Sequence, residues 1–484
     1  MPRSIAVLGG GLSGLVTAFY LQKFHSADQA LDLQLFEAGS RVGGVIGTRQ
    51  VDVPDVGTFT LDMGADMFAL DPPHAMQLVK DLSLEDQLLT PDADRAGALV
   101  VHRGKLQPIP DGFVLMRATK PWQLLTTPIL SPAAKLRFLA ERFIKPLASD
   151  LPDQDVSVGQ FVRHRLGEEM LQRLVGPLVA GIYTADVEKL SMNATMAPIV
   201  KMVQQHGSLA KATLSRKKGD NDKAERSSAG ARYSKFRGFR NGMQQLIDAL
   251  SEQIGEQAID LNTPVESIQW DVARNKWLVS TAKQSEQAFD SVVVATPSAV
   301  AAKLLRGVKA DKLIKPAVDA ADELAAIEAS SAAIVVLAVR KDQVERLPRK
   351  FGFVVPLIEG RKVLAVSFAS HKYAVRAPED HVIIRVFIGG SMQPELLENS
   401  DAGLIELAKQ ELADLIGLKG QETISQVVRW NDAMPQYHVG HLTRVERIRS
   451  AVDQLPNLWI VNNAMGGVGI APLSGIAKQT AEEM

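Results

Sequence analysis

Apolar residues near the start of the chain fall into short runs whose period changes within a few positions. Ile5-Ala6-Val7-Leu8 is uninterrupted, as expected for a strand buried on both faces. Leu15, Ala18, Phe19 and Leu21 then recur at helical spacing, and Leu33-Gln34-Leu35-Phe36 returns to a strand pattern. Gly9-Gly10-Gly11-Leu12-Ser13-Gly14 lies between the first strand and the helix, so the pattern predicts strand, glycine turn, helix, strand. A further buried-strand run, Leu458-Trp459-Ile460-Val461, occurs near the other end. From about residue 95 to 206 the chain reads as helical: Trp122, Leu124, Leu125, Ile129, Leu130, Leu136, Phe138, Leu139 and Phe143 sit among Lys120, Lys135, Arg137, Arg142 and Lys145. Apolar anchors beside a basic rim fit either a core helix or an amphipathic element on a membrane surface. The run Arg163 to Arg165 reads as a solvated helix face. Residues 207–231 carry few apolar positions, which predicts a mobile loop. Residues 301–438 alternate strands and helices and are expected to form an antiparallel-sheet domain.

The totals narrow the function classes. With 484 residues, the chain exceeds what one hydrophobic core organises, so two or three intertwined lobes are expected. A content of 46% apolar and 23% charged residues is that of a globular protein. The net charge of −1 lacks the basic excess that a nucleic-acid partner requires. There is no cysteine, which excludes disulfides, thiolate metal sites, cysteine nucleophiles and a flavin tethered through cysteine. His438 and His441 are spaced for a metal, but no further His or carboxylate cluster supports one. The chain enters its first strand directly from Met1-Pro2-Arg3-Ser4, and no run of 18 apolar residues occurs, so a cytoplasmic protein without a spanning helix is expected.

The glycine turn supplies the first chemistry. Gly9 permits a tight turn, Gly11 lets backbone approach a pyrophosphate, and Gly14 lets the helix lie against the sheet. Leu12 and Ser13 open a helix whose N-terminus favours phosphate. Glu37, ending the second strand, is placed to accept hydrogen bonds from ribose hydroxyls, which points to FAD or NAD rather than NADP. After Ala38 come Arg41, a cation suited to pyrophosphate, and Gly43-Gly44, which let backbone pass close to a flat ring.

This E-x-x-x-R-x-G-G segment resembles that of the flavin-containing amine oxidase superfamily. Further segments, in order, resemble its porphyrinogen oxidase members: Asp62-Met63-Gly64-Ala65-Asp66-Met67-Phe68, Ser157 to Gly167, Gly176 to Asp186, Phe236 to Met243, Val292 to Pro297, Phe351 to Pro356, and Met434-Pro435-Gln436-Tyr437-His438-Val439-Gly440-His441. The resemblance covers nearly the whole chain. It implies an α/β fold with a Rossmann-like FAD domain built from 1–88, 232–300 and 439–484. A helical lobe at 95–206 touches membrane and substrate, and an α+β substrate domain follows at 301–438. It also implies that FAD is held non-covalently by Gly9, Gly11, Leu12, Ser13, Gly14, Glu37, Ala38, Arg41, Gly43, Gly44, Gly64, Ala65, Asp66, Val265, Ala295, Gly467, Val468, Gly469 and Ile470. Pro472-Leu473 stands where the family usually carries a polar pair.

The implied reaction is a six-electron, O2-linked oxidation of protoporphyrinogen IX or coproporphyrinogen III in heme biosynthesis. Flavin chemistry needs no obligatory acid–base pair. The substrate candidates are Arg95, with Arg103 as its alternative, Tyr183, Phe353 and Phe368. Peripheral contact with the inner face of the plasma membrane, a homodimer and a downstream heme-pathway enzyme are the partners the resemblance suggests. The competing readings are an amine oxidase or desaturase, against which the segment after Asn462 lacks paired aromatics, and a non-catalytic flavin-binding scaffold, to which the departures at Ala65, Pro472 and Leu473 leave room.

Overall fold

The computed structural model describes residues 3–25, 31–145, 154–216 and 235–484. Five parallel strands form one sheet, in the order Ile259–Asp260, Leu31–Phe36, Arg3–Leu8, Ser291–Val294, Leu458–Ile460. Segments far apart in sequence thus share one layer. Side-chain alternation explains the sandwich around it. Ile5 and Val7 pack towards helices Leu12–His25, Gln244–Ile254 and Ile470–Glu483, while Ala6 and Leu8 pack towards Ser298–Arg306, Asp311–Ala325 and His441–Val452. With both faces covered, the strand has no use for a polar position.

A second, seven-stranded sheet runs Ile424–Pro435, Ala329–Arg340, His381–Gly389, Ala365–Phe368, Gly352–Val354, Ala98–His102, Lys105–Pro108. Its neighbours are antiparallel except where Gly352–Val354 meets Ala98–His102. Helix Asp401–Ile416 covers one face through Val335, Leu337, Val382 and Ile384. The hairpin Thr48–Val53/Gly57–Asp62 covers the other, with Phe59 and Leu61 against Ile334, Val336 and Ile383.

Three expectations change. Residues 98–108 are a hairpin of the second sheet, not part of a helical lobe; its two-residue turn, Arg103-Gly104, takes φ of 51° and 70°, the type I′ geometry that matches strand twist. A period of two over four residues is a short signal beside the long apolar stretch that follows it. Helices Ser298–Arg306 and Asp311–Ala325 pack on the parallel sheet rather than in an antiparallel domain, because Ala301, Leu305, Ala317 and Leu324 face Val292 and Val294. The stretch expected as a loop begins with helix Leu209–Arg216, and its later residues, 217–231, lie outside the described residues.

That helix is held by Glu141, which accepts the N–H groups of Leu209 and Ala210 at 2.9 and 3.0 Å and pairs with Arg165 at 3.0 Å. Arg165 is fully buried, so only Arg163 of the basic run behaves as a solvated side chain. In the same lobe, Leu171–Val175 forms a turn of π-helix: Pro177 has no N–H to donate, and the Gly176 N–H reaches back to Leu171 O. The following helix, Gly176–Tyr183, thereby ends beside the strand Gly352–Val354.

Candidate functional site

The carboxyl ends of the parallel strands meet at one edge, where α/β sheets bind their ligands. Gly9 leaves the first strand with φ 108°. A Cβ on Gly14 would lie 1.9 Å from Gly9 O, so the helix rests directly on the turn; a Cβ on Gly11 would meet nothing within 4 Å. The turn is therefore tight towards the sheet and open on its outer side, where the helix N-terminus presents unpaired N–H groups. Glu37 Oε2 accepts Gly10 N–H and Oε1 accepts Gly39 N–H, both at 2.7 Å. Each carboxylate oxygen keeps a lone pair, which suits a ribose diol.

The second glycine turn faces the first. Gly43 donates to Gly10 O at 2.7 Å, and a Cβ on Gly44 would sit 3.4 Å from Gly11 Cα. Arg41 differs from its expected role as a pyrophosphate clamp. Its guanidinium donates to Val42 O, Gly44 O and Ile46 O and staples this loop instead. Ala295 N–H binds Leu8 O, and its Cβ would lie 3.3 Å from a Cβ on Gly14. Val265 opens the strand after Thr263, whose N–H binds Glu37 O.

The C-terminal segment closes the same edge. Val461 N–H binds Val294 O, and Asn462 Nδ2 donates to Thr296 O. Gly467 and Gly469 take φ of 123° and 113°, and helix Ile470–Glu483 starts directly behind them. Pro472 falls in the first turn of that helix, where the missing N–H costs no bond, so the departure from the family pair is accommodated. Tyr437 and His441 brace the segment. The Tyr437 hydroxyl donates to Asn463 O and accepts Gly467 N–H at 3.1 Å; the two rings stack at 4.1 Å; and His441 Nε2 donates to Ala464 O at 2.9 Å. Burial pushes the His441 imidazole down to about 4, so it is neutral near pH 7. These bonds give the Tyr437 to His441 motif a positioning role, and no metal cluster occurs among the described residues.

The segment Asp62 to Asp66 is clamped by charges that patterning did not single out. A Cβ on Gly64 would strike Val45 O at 2.2 Å, so this segment lies against the second glycine loop. Arg385 donates to Gly64 O and pairs with Asp66 at 3.1 Å, Lys372 pairs with Asp66 at 2.6 Å, and Arg376 pairs with Asp62 at 3.1 Å. Burial alone would raise the Asp66 carboxyl, but Lys372 and Arg385 hold it at about 2. Ala65 packs against the core of the parallel sheet.

On the far side of the edge, Tyr183, Leu178, Val354 and Val468 join one apolar cluster. Gly181 and Ile182 are exposed beside them, and a Cβ on Gly181 would lie 3.6 Å from Val354 Cγ1. The Tyr183 hydroxyl donates to Thr195 O at 3.4 Å, and burial raises its pKa. Next to it Thr184 takes φ 49°, held by Ser330 Oγ at 2.8 Å, while Gln436 donates to Tyr183 O. A separate open cleft of about 540 Å³, lined by Pro72, His74, Pro472 and Gly475 among others, runs along the outside of the C-terminal helix.

Phe353, Phe368, Arg95 and its alternative Arg103 go elsewhere. Phe353 and Phe368 point to the sheet face covered by helix Asp401–Ile416 and are 1% and 0% exposed, so they are core; Gly352 and Val354 face the other way. Arg95 forms a surface pair with Asp92 at 3.7 Å, and Arg103 occupies a hairpin turn with its N–H on Glu359.

Comparison with known proteins accords with this geometry. Residues 12–476 match the family model for flavin-containing amine oxidoreductases. Coproporphyrinogen III oxidase of Staphylococcus aureus is 28% identical over 100% of this chain and 99% of its own. That of Propionibacterium freudenreichii is 30% identical over 99% and 90%. Arabidopsis thaliana protoporphyrinogen oxidase 2 is 27% identical over 97% and 91%. Among solved structures, a protein from Exiguobacterium assigned as a protoporphyrinogen oxidase superposes with a TM-score of 0.84 at 25% identity, covering 100% of this chain and 98% of that one. Cyclohexylamine oxidase from Brevibacterium oxydans shares the fold, with a TM-score of 0.66 at 16% identity over 100% and 99%. An open glycine cradle, an acid at its rim and a match spanning nearly the whole chain agree, and the chain belongs to the flavin-containing amine oxidoreductase family, as an oxidoreductase whose cofactor is FAD.

Proposed function

We propose that this enzyme oxidises a porphyrinogen to the porphyrin with FAD and O2, and that coproporphyrinogen III is the substrate to test first. The observation that carries this reading is likeness over the full length of bacterial coproporphyrinogen III oxidases. The apolar edge formed by Tyr183, Val354 and Val468 supports it, since a largely apolar tetrapyrrole macrocycle needs such a wall.

FAD, when bound, supplies the hydride acceptor. The chain's own residues hold and shield it. The turn at Gly11 and the N-terminus of helix Leu12–His25 would hold the pyrophosphate, Glu37 would accept the ribose hydroxyls, and Gly43-Gly44, Gly64-Ala65 and Gly467 to Ile470 would hold the ring system. Tyr437 and His441 keep the last of these segments in place, while Tyr183 and Val468 exclude water from the face that meets substrate. Each porphyrinogen has propionates, which call for a cation beside the cradle; Arg95 pairs with Asp92 at the surface, and Arg103 occupies a hairpin turn.

The test is incubation of the FAD-loaded enzyme with coproporphyrinogen III, protoporphyrinogen IX and a benzylic amine under air, with the product mass read in each case. A product six hydrogens lighter than coproporphyrinogen III is expected. Oxidation of the amine alone would reject the proposal. Gly181→Leu places a branched side chain at the exposed end of that apolar edge, and the enzyme should keep its FAD but lose about tenfold in kcat/KM for the porphyrinogen, equivalent to about 1.4 kcal/mol.

A peripheral membrane contact belongs to the same reading. No described helix is long and apolar enough to cross a membrane. Trp122, Leu136 and Phe143 are nonetheless 58%, 68% and 72% exposed, with Arg142 stacked over Phe143. Together they form an apolar surface with a basic rim. The wild-type protein should float with anionic phospholipid vesicles, and replacing all three by serine should abolish flotation without changing FAD content; retained flotation would remove this surface from the proposal.

A further inference from the structure

The clamp on residues 62 to 66 holds more charge than folding requires. Among the described residues, Lys372, Arg376 and Arg385 are set against Asp62 and Asp66; four of the five are buried, and the Lys372 side chain is 11% exposed. Each cation has a directed contact: Lys372 to Asp66, Arg385 to Asp66 and Gly64 O, and Arg376 to Asp62, Phe239 O and Arg240 O. One positive charge is still left over within the cluster. The Nε atoms of Arg376 and Arg385 find no hydrogen-bond partner among the described residues. Burying an uncompensated cation is costly, and replacing such a cluster by apolar residues is often harmless, so stability does not explain it.

Its placement supplies a reason. Gly64 touches Val45, Val45 follows Gly44, and Arg385 donates to Gly64 O, so the cluster backs the Gly43-Gly44 and Gly64-Ala65 segments assigned to the ring system. A hydride carries two electrons and one proton, so the group that accepts it gains one negative charge. Buried positive charge close by favours that state over the oxidised one, because screening by water is weak there. We infer that the net positive charge of the Lys372–Asp66–Arg385 cluster sets the reduction potential of the bound flavin, with Lys372 the member whose removal would cancel that charge. The inference rests on FAD occupying the cradle and not on which substrate is oxidised. Lys372 is the adjustable member, since burial and the neighbouring Arg385 pull its ammonium below the usual range while Asp66 opposes the shift.

The experiment measures midpoint potential, by equilibration with reference dyes, and sulfite affinity on FAD-loaded wild type, Lys372→Gln, Lys372→Arg and Asp66→Asn. Lys372→Gln should disfavour the reduced state about tenfold, a drop of about 30 mV for a two-electron couple, and weaken sulfite binding to a similar degree. Lys372→Arg should restore wild-type values, and Asp66→Asn should move both readouts the opposite way. A cluster that merely supports the fold would move the Gln and Asn variants in the same direction, and an unchanged potential in Lys372→Gln overturns the inference outright. If Asp66→Asn fails to fold, the contrast between Gln and Arg at Lys372 decides alone. Porphyrinogen turnover enters neither readout, so an enzyme inactive on porphyrinogens with these shifts intact would reject the proposed substrate and leave this inference standing.

Discussion

Gly11→Ala should purify as a folded protein depleted of FAD, whereas Gly14→Ala should lose fold and cofactor together. The two glycines are three residues apart in one motif, yet their surroundings are opposite. A methyl on Gly11 meets no protein atom within 4 Å and projects into the space that the pyrophosphate needs. Crowding there is worth about 1–3 kcal/mol, which weakens FAD binding about 5- to 150-fold and leaves the apoprotein's thermal midpoint unchanged. A methyl on Gly14 would fall 1.9 Å from Gly9 O, and that oxygen belongs to backbone fixed by the first strand. The helix must then lift off the sheet and break the packing of Leu15, Val16 and Phe19. Flavin absorbance per chain and circular dichroism, measured on both variants, separate the outcomes. Normal flavin content in Gly11→Ala would show that the open space is not the phosphate site.

The second large effect is expected at Arg376. Its guanidinium is fully buried, pairs with Asp62 and donates to the carbonyls of Phe239 and Arg240, tying the hairpin Thr48–Val53/Gly57–Asp62 to the loop ahead of helix Gln244–Ile254. Arg376→Leu leaves a buried carboxylate whose remaining donors are Thr48 Oγ1 and Met243 N–H. Breaking a buried pair from one side costs about 3–5 kcal/mol, and the thermal midpoint of the holoenzyme should fall accordingly. The double variant Arg376→Leu, Asp62→Leu should recover only part of the loss, because Thr48 and Met243 then lack their acceptor. A single variant as stable as wild type would show that the pair does not tie these elements together.

These two sites also show how unevenly the molecule could be read in advance. The cradle was legible because its residues are neighbours in sequence, from Gly9 to Gly14 and from Glu37 to Gly44, and because Gly9, Gly43 and Gly44 mark positive-φ backbone that favours glycine. Arg41 was legible as part of the motif but not in its contacts, since its guanidinium reaches back onto its own loop. Phe353 and Phe368 were misplaced because a short strand gives each residue a face only once its register and covering helix are known. Lys372, Arg376 and Arg385 gave no local signal at all. They lie more than 300 residues from the carboxylates they meet, on a helix, a turn and a strand of the second sheet.

The sequence by itself determined the glycine turns, the acid that ends the second strand and the family, because these depend on local backbone geometry and on motifs kept in order. Tertiary structure alone decided which faces of the second sheet are core, which cations stand behind Asp62 to Asp66, and that Tyr437 and His441 brace the C-terminal segment. Those are contacts between distant segments, fixed by how two sheets pack rather than by any period along the chain.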